Sequence, residues 1–272
     1  MTAQNELWTI DLGLRSYAEA LVVQREVARR RIAGEIPQDV LLLVEHPPVV
    51  TLGRSAKGHH LLASPALLES RGVERFEVER GGDVTFHGPG QLVGYPIIDL
   101  KRHRKDLHWY LRQVEEALIR ALATYGVPAG RVEQYTGVWV GEVVPSDARD
   151  PAPAHQGQVL RSAQGDSPRR KIASIGVHAR DWVTWHGFAL NVSTDLSFFD
   201  LMVPCGIAEV TMTSLARELG SAGAAVPSLS DVGARVASAF GDLFELVPAP
   251  RPEDALGPAA ALVDPRKHSG LD

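Results

Sequence analysis

The stretch Arg80–Gln91, RGGDVTFHGPGQ, constrains the fold more than any other part of the sequence. It holds four glycines and one proline, interleaved with the polar residues Arg80, Thr85 and His87. Glycine lets the backbone adopt positive φ and approach a ligand closely, while proline fixes φ and stiffens the turn. The pattern predicts a rigid, narrow platform for a bound molecule. The alternative is a β-hairpin turn that happens to be rich in polar side chains.

Strand and helix patterns are mixed along the chain without a strict βαβ order. Apolar runs such as Val49–Leu52 and Leu92–Leu100 predict buried strands. The segment Asp106–Tyr125 has the clearest helical stripe, with Asp106 as its cap and Gly126 at its end. We therefore predict an α+β fold, a mixed β-sheet with helices packed on it.

Two stretches differ from the rest in composition. Residues 145–170 are rich in Pro, Ala, Gln, Asp, Ser and Arg and have almost no periodic apolar residues, which is typical of a mobile surface insertion. Strand patterns resume directly afterwards, so residues 1–247 are predicted to form a single domain. The Pro- and Ala-rich residues 248–272 are expected to be a flexible tail.

Composition and charge exclude several classes of protein. A formal net charge of −5 gives no general attraction to nucleic acid or to an anionic membrane. A single cysteine cannot form an intramolecular disulfide, which suits a reducing compartment. Residues 1–14 lack the apolar segment of a secretory signal, and no apolar run is long enough to span a bilayer. We expect a cytoplasmic protein with no membrane or nucleic-acid partner.

The lone cysteine, Cys205, lies between a proline and a glycine in VPCGI, where backbone amides are expected close to the sulfur. Such a cysteine is most often an inert small hydrophobe, but a nearby cation makes it a nucleophile by lowering its pKa. Lys171 is the candidate cation. It begins KIASIGV, and period-2 alternation places it on the face shared by Ala173 and Ile175. If that face is inward, Lys171 is partly desolvated and suited to proton exchange; the alternative is a solvated strand end.

Several linked motifs resemble the lipoyl(octanoyl) transferase family. In chain order they are RGGDVTFHGPGQ, LVGYPIIDL, KIASIGVHA, HGFALNV and PCGI, and they cover roughly residues 7–219. Linked motifs are much more specific than one glycine pattern. The resemblance implies the α+β catalytic core of the biotin- and lipoate-protein ligases, with residues 1–247 as an octanoyltransferase catalytic domain.

The resemblance also implies the site residues. Cys205 matches the nucleophile that accepts the acyl group as a thioester, and Lys171 matches the residue that lowers the cysteine pKa and serves as acid and base. The family's contacts to the acyl substrate map onto Arg80, Gly81, Gly82, Asp83, Val84, Thr85, Phe86 and His87, onto Ser174, Ile175 and Gly176, and onto Gly187, Phe188 and Ala189, with Asn191 in the same motif. Val84, Phe86 and Ile175 are candidates to line a narrow apolar tunnel for the acyl chain.

The implied reaction transfers an octanoyl group from octanoyl-acyl carrier protein to a lysine amine of a lipoyl domain, in endogenous protein lipoylation. The implied acceptors are the lipoyl domains of 2-oxoacid dehydrogenase complexes and the H protein of glycine cleavage. The donor is already a thioester, so neither ATP nor another cofactor is expected, and we expect a monomer.

Two alternatives remain open. One is an ATP-dependent lipoate- or biotin-protein ligase on the same fold, and the other is a non-catalytic module that binds acyl carrier protein. A metal site is not predicted, because the ten histidines include no pair at helical ligand spacing.

Overall fold

The structure, a computed structural model, describes residues 5–141, 169–207 and 210–257. The strands are β1 (Glu6–Leu14), β2 (Asp39–Glu45), β3 (Val49–Leu52), β4 (Glu74–Glu77), β5 (Val84–His87), β6 (Gln91–Ile97), β7 (Ala129–Val132), β8 (Tyr135–Val140), β9 (Arg170–Arg180), β10 (Val183–Asn191), β11 (Thr211–Met212) and β12 (Val247–Pro250). The helices are α1 (Tyr17–Ile32), α2 (Pro65–Ser70), α3 (Leu107–Ala123), α4 (Leu215–Gly220) and α5 (Leu229–Phe244).

The strands form two sheets. Within the described residues the large sheet has nine strands in the order β12-β1-β2-β6-β10-β9-β8-β7, with β11 paired to β9, and the small sheet has the order β4-β3-β5. In the large sheet β1 pairs in parallel with β2 and β12, whereas from β2 through β6, β10 and β9 to β8 each strand is antiparallel to the next. Mixed sheets with packed helices confirm the predicted α+β class.

Helices cover both faces of the large sheet, as strand alternation requires. Leu41 on β2 joins an apolar cluster with α3 and α5, while its neighbours Val40 and Leu42 join another with α1. Local signals fix the helix starts: Ser16 and Glu19 form the predicted capping box of α1, and Asp106 caps α3. Among the described residues, none of these helices is both long and apolar enough to cross a membrane.

The small sheet has an apolar cluster of its own. Val50 and Leu52 of β3 and Val84 and Phe86 of β5 pack there against the chain that leads to Cys205, which contributes Phe199, Leu201 and Met202. This small-sheet cluster sets the position of the segment that follows residue 202.

The predicted domain boundary at residue 247 falls inside the large sheet. β12 pairs with β1, the Arg251 amide donates a hydrogen bond to the Thr9 carbonyl at 2.9 Å, and Leu256 is fully buried. The described start of the predicted flexible tail is therefore packed, because it supplies an edge strand. Residues 258–272 lie outside the described residues, and so do residues 142–168, which contain most of the predicted insertion; Arg170 already begins β9.

Gly187 lies on β10 with no space for a side chain between it and the neighbouring strand β6. A Cβ at this position would lie 2.2 Å from the Gly94 carbonyl oxygen and 2.5 Å from Pro96 Cδ. Because both atoms belong to the neighbouring strand, they cannot move aside without disturbing the sheet. We expect Gly187→Ala to lower the free energy of unfolding by about 1–3 kcal/mol, measured by urea denaturation.

The control is Gly220→Ala, since nothing lies within 4 Å of the position that its Cβ would take. It should unfold at the wild-type urea concentration, and equal stability of the two variants would contradict the tight contact at Gly187.

Candidate active site

A cavity of about 330 Å³ lies between the two sheets. The small sheet contributes Thr85 and His87 to its wall, and the large sheet contributes Ser174–Gly176 of β9 and Gly187–Ala189 of β10. The turn that carries Cys205 also lines the cavity, through Cys205, Gly206 and Ile207. The structure therefore brings all three predicted substrate-contact segments together around one space.

Cys205 occupies a strained turn. It lies in a single 3-10 turn over Pro204–Gly206, with φ of 56° at Cys205 and 66° at Gly206. Positive φ at a residue other than glycine costs on the order of 1–3 kcal/mol, and the surrounding structure has to hold it. Here the Val203 amide donates to the His60 carbonyl at 2.7 Å, and the Gly206 amide donates to the Val203 carbonyl at 3.0 Å.

Lys171 lies directly against the cysteine. Its Nζ is 3.1 Å from Cys205 Sγ, and it also donates to the Thr136 carbonyl at 3.2 Å. The Trp139 ring lies beneath the ammonium, 5.2 Å from Nζ to the ring centroid, which is a cation–π distance. Lys171 is 1% exposed. The alternative of a solvated strand end is wrong, because β8 and β11 flank this end of β9.

These neighbours favour the thiolate. Burial raises the pKa of the Cys205 thiol, but the Lys171 ammonium, hydrogen bonds from Lys171 and Ser174, and the Arg80 guanidinium together hold it below its ordinary value. Ser174 Oγ lies 3.7 Å from the sulfur. A partly buried thiolate beside an ammonium is a nucleophile with a proton donor already in place.

Arg80 is a buried cation beside this cavity. Its guanidinium donates to the Thr51 carbonyl at 2.7 Å and hydroxyl at 2.9 Å, and to the Gly81 carbonyl at 3.1 Å. Within the described residues no carboxylate lies at ion-pair distance from it. Burial lowers the pKa of Arg80, yet an arginine stays charged. The cavity wall therefore carries a fixed positive charge.

A hydrogen-bonded network fixes His87. Its Nδ1 lies 2.9 Å from Gln91 Oε1, and the Gln91 amide donates to the Phe86 carbonyl and to Asn191 Oδ1. Because an amide oxygen only accepts, His87 Nδ1 is the donor and Nε2 is left as an acceptor for the Thr51 hydroxyl at 3.3 Å. Burial lowers the pKa of His87 well below its ordinary value, so this imidazole is neutral.

A second buried histidine, His46, makes the fold sensitive to acid. Its Nδ1 donates to the Arg15 carbonyl and its Nε2 accepts from the Tyr95 hydroxyl, both at 2.8 Å. Burial lowers the pKa of His46 from 6.5 to about 4. The unfolded chain therefore binds a proton at a higher pH than the folded chain does. The contribution of His46 to the free energy of unfolding is complete above pH 6.5 and falls as the pH drops towards 4.

We expect the free energy of unfolding to fall by up to about 3 kcal/mol over this range through His46 alone. Urea denaturation at several pH values should show a shallower acid loss for His46→Gln. The exposed His108 provides the control, and His108→Gln should keep the wild-type pH dependence. An unchanged slope in His46→Gln would contradict the assignment.

Two predicted lining residues face away from the cavity. Along β5, Thr85 and His87 point to it, while Val84 and Phe86 pack into the small-sheet cluster. The predicted apolar lining by Val84 and Phe86 is therefore wrong, and period-2 alternation is the reason. Ile175 does line the cavity.

The glycine-rich stretch contacts both sheets. The Gly81 amide donates to the Val177 carbonyl at 2.8 Å and thereby ties the stretch to β9. Gly82 and Asp83 line the cavity. The hairpin alternative is wrong, because β5 pairs with β3 whereas β6 pairs with β2 and β10.

Other cavity residues were not predicted from the sequence. They are Tyr17, Val93, Tyr95, Gln134, Tyr135, Thr136, His186, Gly206 and Ile207. Tyr17 and Tyr95 belong to apolar patterns that also fit an ordinary core. The available signals were a tyrosine inside the otherwise aliphatic run of β6 and a histidine directly before Gly187; His186 proves to have a φ of 55°.

Comparison with known proteins finds relatives of this sequence. The family model described as the lipoyl protein ligase A/B catalytic domain matches residues 16–241. An octanoyltransferase of Myxococcus xanthus is 44% identical over 250 residues, which is 91% of this chain but only 63% of that protein. An octanoyltransferase of Rubrobacter xylanophilus is 51% identical over 210 residues, 76% of this chain and 81% of that protein.

The fold has solved relatives as well. The bipartite lipoate protein ligase of Thermoplasma acidophilum superposes with a TM-score of 0.67 at 13% identity, covering 94% of this chain and 91% of that one. At this identity the likeness concerns the fold alone.

Proposed function

This chain belongs to the lipoyl protein ligase A/B catalytic-domain family, and we propose that within the family it is an octanoyltransferase of protein lipoylation. The observation that supports this most directly is the 3.1 Å contact between Lys171 Nζ and Cys205 Sγ in the wall of the cavity between the two sheets. The identity of the acyl group, octanoyl, is inferred from the names of these relatives.

The first half-reaction forms an acyl-enzyme. The Cys205 thiolate attacks the thioester of octanoyl-acyl carrier protein, a C–S bond forms, and the C–S bond to the carrier breaks. Lys171 gives a proton to the departing thiolate and becomes a neutral amine. One thioester replaces another, so the step needs no ATP.

The second half-reaction forms an amide. The lysine amine of a lipoyl domain attacks the Cys205 thioester, and neutral Lys171 accepts the proton that the new C–N bond releases. The thiolate of Cys205 leaves and is paired again with the Lys171 ammonium. An amide is more stable than a thioester, which makes this half-reaction favourable. Two substrates that share one acyl-enzyme give ping-pong kinetics.

The proposed partners follow from this reaction. The donor is octanoyl-acyl carrier protein, and the acceptors are lipoyl domains of 2-oxoacid dehydrogenase complexes and the H protein of glycine cleavage. We propose that the enzyme works as a monomer in the cytoplasm. Its substrate contacts are the cavity-lining members of the three motif segments.

Intact mass spectrometry tests the proposal. The protein is mixed with octanoyl-acyl carrier protein in the absence of ATP, and Cys205→Ser is treated in the same way. One octanoyl adduct should form on the wild-type enzyme, disappear when a lipoyl domain is added, and never form on Cys205→Ser. If no adduct forms, and the lipoyl domain is modified only with ATP and free octanoate, the chain is a ligase instead.

A further inference from the structure

A second acid–base pair lies beside the Cys205 turn. His60 Nδ1 is 2.6 Å from Asp83 Oδ2, and the exposed fractions of the two side chains are only 14% and 10%. A carboxylate only accepts hydrogen bonds, so His60 Nδ1 is the donor and Nε2 is the nitrogen able to take up a proton. A carboxylate behind an imidazole orients the base in this same way in hydrolase triads.

The pair packs on the residue that follows the nucleophile. A Cβ on Gly206 would lie 2.5 Å from Asp83 Oδ2 and 2.9 Å from His60 Cε1. The His60 carbonyl accepts the hydrogen bond from Val203 described above, and Asp83 Oδ1 accepts from the Val84 amide at 2.7 Å. Asp83 also lines the cavity. Asp83 is thus part of the cavity wall beside Cys205, and His60 lies next to it, against Gly206.

The proposed reaction needs a second proton acceptor. A lysine has an ordinary pKa of about 10.4, so the lysine of the lipoyl domain enters the site as an ammonium. It must lose two protons, one before its nitrogen attacks the thioester and one after. Lys171 can take only one of them, because it ends the cycle as the ammonium beside the regenerated thiolate. The other proton has to reach solvent, and Lys171 is 1% exposed.

We propose that His60, held by Asp83, accepts the first proton of the acceptor lysine, directly or through one water. The N–H bond of the ammonium breaks, the proton binds His60 Nε2, and the free amine attacks the Cys205 thioester. The imidazolium is stabilised by Asp83 and releases its proton to solvent. As a carboxylate in the cavity wall, Asp83 also attracts the incoming ammonium.

The surroundings of His60 are compatible with this role. Its ring lies 4.4 Å from the His59 ring, centroid to centroid, and its Nδ1 faces the Asp83 carboxylate. The other ionisable side chains that line the cavity are those of Tyr17, Arg80, His87, Tyr95, Tyr135, Lys171, His186 and Cys205. His59 is exposed. It is therefore a matched control, an adjacent imidazole that is open to solvent.

The inference rests on the proposed function, and its test separates the two half-reactions. Acylation of His60→Gln by octanoyl-acyl carrier protein is timed by intact mass spectrometry, and the isolated acyl-enzyme is then mixed with a lipoyl domain. Acylation should proceed at the wild-type rate, whereas transfer near neutral pH should be about 10²-fold slower. Transfer should recover towards the wild-type rate at alkaline pH, where the lysine loses its proton to solvent, and His59→Gln should match the wild type.

Wild-type transfer by His60→Gln would overturn the inference. So would an equal loss in both half-reactions that alkaline pH does not restore, because that result would indicate a structural role. If His60→Gln does not fold, as thermal unfolding would show, His60→Asn is tested by the same criteria. Failure of the wild-type enzyme to form any octanoyl adduct would overturn the proposed function itself, and the inference with it.

Discussion

Replacing Cys205 by serine is expected to abolish octanoyl transfer, with a loss of at least about 10³-fold in kcat/KM. Serine is close in size to cysteine, but its hydroxyl is far less acidic than a thiol, so the neighbouring Lys171 cannot hold it as the anion. The rate is measured as octanoylation of a lipoyl domain by octanoyl-acyl carrier protein.

The fold should survive this change. Cys205 is only partly buried and lies in a 3-10 turn rather than in an apolar cluster. Cys205→Ser should therefore unfold close to the wild-type temperature. Cys205→Ala removes the hydrogen-bonding atom altogether and serves as the second variant. Near-wild-type transfer by either folded variant would show that the sulfur is not the nucleophile.

Replacing Lys171 by methionine is expected to raise the thiol pKa and to slow both half-reactions. The Lys171 ammonium is the main favourable influence on the thiolate, and without it burial again raises the pKa of Cys205. Each unit of increase lowers the thiolate fraction near neutral pH about tenfold. Alkylation by iodoacetamide should slow accordingly, and octanoyl transfer should fall by about 10²–10⁴-fold because the proton donor and acceptor is also lost.

Methionine keeps the length of the buried side chain, so the packing against Trp139 is largely retained. The exposed Lys57 provides the control, and Lys57→Met should leave both rates unchanged. A pH dependence of alkylation in Lys171→Met that equals the wild-type curve would mean that the lysine has only a structural role.

Local signals in the sequence were enough to predict much of the fold. The capping box at Ser16 and the aspartate cap of α3 depend on residues within one helical turn, and both are present. Val49–Leu52 forms a strand over the predicted residues, because four consecutive apolar or β-branched residues next to Pro48 leave few other solutions. The clustering of the glycine-rich stretch with the two later motifs was expected from the family resemblance.

The remainder depends on contacts between distant segments. That β5 and β6 belong to different sheets is decided by the pairing of β5 with β3, which no local pattern reveals. Phe86 packs into the small-sheet cluster and not into the cavity, because the other face of β5 is the one that meets the large sheet. His60 and Asp83 are 23 residues apart in the sequence, and both lie against Gly206, which is more than 120 residues further along the chain.

The positions of Lys171 and Cys205 in different parts of the fold have a mechanical consequence. Lys171 belongs to β9 of the large sheet, while Cys205 follows a segment anchored in the small-sheet cluster by Leu201 and Met202. On that side the 3.1 Å between them depends on how the small sheet packs against the large one. The Coulomb attraction that acidifies the thiol weakens as that distance grows. A partner protein that displaced the small sheet would thus raise the pKa of the Cys205 thiol without contacting the sulfur. The rate of alkylation of Cys205 would fall and would report the displacement.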